Sequence, residues 1–211
     1  MDFCLRYKGP LPANSGPREK HKIRRAFHPQ LRSLWNEHPL LAGATTIPLI
    51  GFLEPNGAHD EASLHDRLVS ATRVEWIAKE HKRGAFYFAP LVTKELDLVC
   101  SLDIQFFRRE PAGALIEHGG DIDNRIKTLF DALRVPDQGQ VDKIDPEEDE
   151  VPFFCLLQDD VLVTGFSVKT ERLLEPSAAG ERSTNIALTI NVRITTTLAS
   201  ETEAFSRLKP A

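Results

Sequence analysis

Hydrophobic and polar residues alternate most regularly in the stretch "ELDLVCSLDIQFF", residues 95 to 107, where Leu96, Leu98, Cys100, Leu102, Ile104 and Phe106 occupy every second position. Successive side chains of a strand point to opposite faces, so this period predicts a strand buried on one side. "TNIALTINVRITT" (184 to 196) repeats the pattern as a closing strand. "DFCLRYK" (2 to 8) follows it up to the turn-rich "GPLPANSGP". Two further strands are predicted over "GAFYFAPLVT" (84 to 93) and over 161 to 172.

Elsewhere the period changes to that of a helix. Ile122, Ile126, Leu129, Phe130 and Leu133 form one apolar stripe and predict a helix over 123 to 133. Ile23, Phe27, Leu31 and Leu34 predict another within "REKHKIRRAFHPQLRSLWNEH", with Pro29 expected to interrupt or restart it. Leu64, Leu68 and Val69 suggest a helix over about 61 to 72. The order of elements predicts an α+β fold, a small mixed or mostly antiparallel sheet with helices on one face. A single domain over 1–211 is expected, with an enlarged N-terminal region (about 18–83). The acidic stretch over about 134–152 lacks an apolar period and is expected to be a mobile loop. The tail after the last strand reads as a peripheral extension.

Composition narrows this picture only slightly. With 41% hydrophobic and 27% charged residues, the chain has the make-up of an ordinary globular protein. Its net charge of −5 advertises no polyanionic partner, so local charge distribution matters more. Cys4, Cys100 and Cys155 are widely spaced, without a CxxC pair, which argues against structural zinc. All three are expected to be reduced core residues. No segment approaches the ~20 apolar residues of a membrane span, and "MDFCLRYKGP" lacks the apolar run of a signal peptide. A soluble, cytoplasmic protein with no membrane contact is expected.

The chemistry concentrates in "GGDIDNRIKTLFDAL", residues 119 to 133. Asp121 and Asp123 stand two apart at the mouth of the predicted helix. One of them can cap it, since Asp is a preferred N-cap and suits the helix dipole. Two carboxylates at close range also repel, and so invite a cation. A second pair, Asp159 and Asp160, lies between the apolar "FFCLL" and the strand "VLVTGFSV". It can be a plain turn pair, or one of its members can join Asp121 and Asp123. Three converging carboxylates would form an oxygen-rich site suited to Mg²⁺ or Mn²⁺, able to activate water and clamp a phosphoryl oxygen. Lys127 lies one helical turn beyond Asp123, either as a surface ion pair or as an ammonium facing phosphate. Arg125 falls on another side of the helix and reads as a solvated residue. The basic run Arg18, Lys20, Lys22, Arg24 and Arg25 is either a solvated helix face or a set of phosphate contacts.

Taken together, "DIDNRIKTLFDAL" at 121 to 133 and "LLQDDVLVTGFSVK" at 156 to 169 resemble the RusA family of Holliday junction resolvases. The family pattern is D-[apolar]-D-N-x-x-K, then FDAL-like residues, then a DD pair leading into a strand. The opening "LRYKGPLPANS" is similar to the family's first strand and Pro-rich turn. The resemblance implies that Asp121, Asp123 and Asp160 are catalytic and metal-binding, that Asp159 and Lys127 contribute, and that Asn124 is the motif's asparagine. It further implies Mg²⁺ as cofactor with Mn²⁺ as substitute, a homodimer with two metal sites, and branched DNA as substrate. The chain departs from the family in the acidic link and in the long 18–83 region. The leading expectation is therefore a Mg²⁺-dependent endodeoxyribonuclease acting on branched or structured DNA. The alternatives are a DNA-binding subunit of a repair, recombination or defence complex, and a nucleotide-processing phosphotransferase.

Overall fold

The computed structural model describes residues 1–46, 72–108, 122–174 and 185–196. The strands are β1 (Asp2–Pro10), β2 (Lys82–Arg83), β3 (Phe86–Val92), β4 (Leu98–Arg108), β5 (Phe153–Leu157), β6 (Val163–Arg172) and β7 (Asn185–Thr196). The helices are α1 (Pro17–Glu37), α2 (Ala42–Thr46), α3 (Arg73–Glu80) and α4 (Ile122–Leu133). Helices and mixed sheets in one packed unit make the fold α+β.

The main sheet has the order β1-β7-β4-β6. β7 runs antiparallel to both β1 and β4, and β6 runs parallel to β4. The alternation read in β4 sets its burial: Leu98, Cys100, Leu102, Ile104 and Phe106 are buried, and the residues between them are half-exposed. Leu5 and Tyr7 of β1 and Ile186, Leu188, Ile190, Val192 and Ile194 of β7 supply the same inner face. α1 and α4 close it with Ile23, Phe27, Leu31, Trp35, Leu129 and Leu133. Cys100 and Cys155 are buried, whereas Cys4 is exposed, contrary to the expectation of three core cysteines. Cys4 shares its strand face with Asp2 and Arg6, the side turned away from the core.

The 84–93 strand does not join the main sheet. It forms β3 of a second sheet, β2-β3-β5, in which β3 and β5 are parallel. All five residues of β5, "FFCLL", are buried, which explains why its sequence runs apolar rather than alternating.

Pro29 lies inside α1 without ending it. The missing N–H and ring clash cost about 3 kcal/mol. Burial of Phe27, Leu31 and Trp35 on either side offsets this, at roughly 1.5–3 kcal/mol per large apolar side chain. The helix expected over 61 to 72 falls outside the described residues, except for Thr72, which caps α3 in a capping box with Glu75.

The acidic stretch is ordered, because α1 holds it. Arg25 pairs with Glu150 at 2.6 Å and Glu147 at 3.2 Å, and Arg32 pairs with Asp149 at 3.3 Å. Glu150 is itself buried. His28 accepts the Phe154 N–H at Nδ1 and donates from Nε2 to the Asp149 carbonyl, which defines a neutral tautomer. Val135 and Val141 add buried apolar anchors that no periodicity announces.

Candidate functional site

α4 places its first-turn Asp123 next to the positive end of the helix dipole. Asp123 is within the helix and exposed, and so is Lys127 one turn later. Asp121, Gly119 and Gly120 lie outside the described residues. On α4, positions 123, 127 and 130 fall on one side, within about 60° at ~100° per residue. The buried Thr128, Leu129, Ala132 and Leu133 lie on the other side. Asn124 is half-exposed. Arg125 is half-buried and donates to the Leu11 carbonyl, so it is not the solvated residue expected.

Asp159 and Asp160 follow β5 and open a short 3-10 turn, Asp160–Leu162, that leads into β6. Asp159 accepts the Val161 N–H at 3.0 Å, which draws its carboxyl below the usual carboxylate range. Asp160 is pushed up, first by burial, then by its hydrogen bond with Asp159 and by the charges of Asp159 and Asp131, while Arg134 draws it down. The pair is thus polarised into one more acidic and one less acidic carboxyl, a crowded anionic spot.

Phe130 of α4 meets Phe166 of β6 edge-on, with ring centroids 5.3 Å apart. At the far end of α4, Arg134 pairs with Leu157 of β5, and Val135 N–H donates to the Leu157 carbonyl. Among the described residues, no three His, Cys, Asp or Glu side chains group closely enough to hold a metal ion.

The carboxylates that do surround Asp160 include one that the sequence did not single out. Asp131 takes Lys20 Nζ at 2.7 Å on one oxygen and Arg134 at 3.2 Å on the other. Arg134 also grips Asp137 through two bonds of 2.8 and 2.9 Å. The spacing 131, 134, 137 is a legible run of i, i+3 charge pairs; the partnership with Lys20, 111 residues away, is not.

The basic run on α1 divides. Arg24 is buried, with its guanidinium donating to the carbonyls of Asp131 and Arg134 and to His21 Nδ1. Burial lowers its pKa to about 10. Lys20 and Arg25 carry the internal ion pairs already described. Arg18 and Lys22 are exposed.

Comparison with protein-family models, with curated proteins and with solved structures found no match to this chain.

Proposed function

We propose that the protein is a Mg²⁺-dependent endonuclease of branched or structured DNA, working as a homodimer in the manner of a Holliday junction resolvase. The observation that carries this reading is the sequence pairing of "DIDNRIK" with "QDD", on a chain whose α4 touches β6 through Phe130 and Phe166. Asp123 and Lys127 project from the open stripe of α4, and Asp159–Asp160 stand at the head of the adjoining strand. The donor set is entirely carboxylate oxygen, which fits a hard divalent cation such as Mg²⁺. Such an ion lowers the pKa of water and neutralises phosphate charge. Asp121, Asp123 and Asp160 would hold it, with Asp159 fixing its neighbour. Lys127, exposed and one turn from Asp123, would bind the phosphate and hold its charge.

Exposed apolar side chains, Phe166 at 54% and Val161 at 67% exposure, would suit contact between two copies of the chain. Such a homodimer would hold two sites related by one two-fold axis, as paired nicking of a symmetric junction requires.

The experiment is a panel of labelled linear, nicked, flap, fork and four-way DNAs incubated with Mg²⁺ or with chelator. Metal-dependent cleavage of branched forms is expected. Binding without cleavage would replace the enzyme reading with that of a DNA-binding subunit, and failure to act on or bind any of the DNAs would overturn both.

A further inference from the structure

The main sheet has two outer edges, and the chain treats them differently. The edge of β1 is occupied. The Gln30 side chain of α1 accepts the Arg6 N–H at 2.9 Å and donates to the Arg6 carbonyl at 2.8 Å, as a neighbouring strand would. β6 forms the other edge and is ten residues long; among the described residues no strand pairs with its outer side. An open edge of that length is a template for another strand unless something blunts it. Leu173 N–H donates to the Arg108 carbonyl, so by alternation Lys169 and Glu171 also turn their backbone groups towards β4. Phe166, Val168, Thr170 and Arg172 turn theirs outward, to the open side.

The side chains along this edge match themselves when the strand is reversed. In "FSVKTERLL" (166 to 174), turning one copy end for end about Thr170 sets Lys169 opposite Glu171 and Phe166 opposite Leu174. Lys169 and Glu171 are both exposed. Phe166 and Leu174 are 54% and 82% exposed, two large apolar side chains that the fold leaves open. Phe166 shares the inner face of the sheet with Leu102, and Phe130 covers only one flank of its ring. In this register Thr170 meets Thr170 as a hydrogen-bonded pair. Lys169 and Glu171 then fall on non-hydrogen-bonded pairs, where Cα atoms approach to about 4.5 Å and side chains are closest. Moving the centre by one residue sets Lys169 against Lys169 or Glu171 against Glu171, which like-charge repulsion disfavours. Charges that merely blunt an edge need no such match.

We propose that β6 pairs antiparallel with β6 of a second copy, about a two-fold axis at Thr170, and so joins the two main sheets into one continuous sheet. The backbone groups of Val168, Thr170 and Arg172 gain partners, the Lys169–Glu171 pair forms twice, and Leu174 of the second copy covers the open flank of Phe166. The inference rests on the proposed function for its homodimer alone, and needs none of its chemistry.

The test is sedimentation velocity of the full-length chain over a micromolar dilution series. It compares the wild type, Lys169→Glu, Glu171→Lys, the double exchange of both, and an equimolar mixture of the two single variants. The wild type is expected to be a dimer. Each single variant sets like charges opposite each other twice and should dissociate roughly tenfold more readily. The double exchange and the mixture both restore opposite charges at each pair, and should recover wild-type association. Mixing does not rescue a misfolded chain, so recovery separates strand pairing from damage to the fold. Thr170→Pro removes an N–H that faces outward, spares the bonds to β4, and should leave a monomer; should it not fold, the charge exchange carries the comparison. A monomeric wild type would overturn the inference. So would single variants that dimerise as tightly as the wild type, or a mixture that fails to reassociate. A dimer that obeys the exchange yet cleaves no DNA would leave this interface standing and remove the endonuclease reading.

Discussion

Two charged regions of this molecule look alike in the sequence and differ in the structure. The first is the joint between α1 and the acidic stretch. There Arg24, Arg25, Arg32 and Lys20 meet Glu147, Asp149, Glu150 and Asp131 or backbone carbonyls, and the charges are used in holding elements together. The second is the outer side of α4 and the turn into β6, where Asp123, Lys127 and Asp160 are exposed, as are Phe166 and Val161. The first region has the partners of a structural joint. The second has carboxylates, an ammonium and apolar side chains turned to solvent. A charged run in a sequence is thus ambiguous until its partners are known.

The sharpest way to break this comparison is through the stripe. Asp121→Asn, Asp123→Asn and Asp160→Asn should each lower Mg²⁺-dependent cleavage by roughly a thousandfold while the protein remains folded. Asn removes an anionic ligand yet still serves a helix N-terminus. Near-normal cleavage by these variants would remove the carboxylates from the chemistry.

Next comes the joint. Arg24→Met should destabilise the protein by on the order of 3 kcal/mol in urea unfolding, because the buried carbonyls of Asp131 and Arg134 lose their donor. Lys127→Met should change stability by less than about 0.5 kcal/mol and yet impair cleavage. Similar stability losses in both would erase the distinction between the regions.

The joint also predicts a pH dependence. His21 lies against Phe86 and Phe153 beside Arg24, and burial, then the charges of Arg24 and Arg25, lower its pKa to about 4 from 6.5. Its neutral form is the one the fold accepts. Its contribution is therefore complete above pH 6.5 and is lost as pH falls from there towards 4. Thermal unfolding should show a melting temperature lower at pH 5 than at pH 7.5, on the order of 5 °C. A flat profile over that interval would mean that His21 is hydrated.

The smallest effect concerns the remaining basic residues. Neutralising exposed Arg18 and Lys22 should flatten the salt dependence of duplex binding by a slope of roughly 0.9 per lost phosphate contact. Arg25→Gln should leave the slope unchanged and reduce stability by about 1 kcal/mol through loss of the Glu150 pair. A change in slope from Arg25→Gln would return the whole run to the DNA surface.

Alternation in β4 and β7 and the stripe on α4 were enough to predict the main-sheet strands and the helix beside them. These are local signals, since a period of two or 3.6 is imposed by backbone geometry within a few residues. The same holds for the identity of the candidate chemistry: Asp121, Asp123, Lys127, Asp159 and Asp160 stand in the sequence as a pattern of oxygen donors and an ammonium. Two features depended on distant contacts instead. Pro29 continues α1 because burial of Phe27, Leu31 and Trp35 outweighs a local penalty. The acidic stretch is ordered because its partners sit on a helix more than a hundred residues earlier. The sequence by itself determined which residues have faces and which carry chemistry, because those follow from side-chain type and backbone repeat. Only the tertiary structure decided which charges are neutralised inside the fold, because electrostatic pairing depends on separation in space, not along the chain.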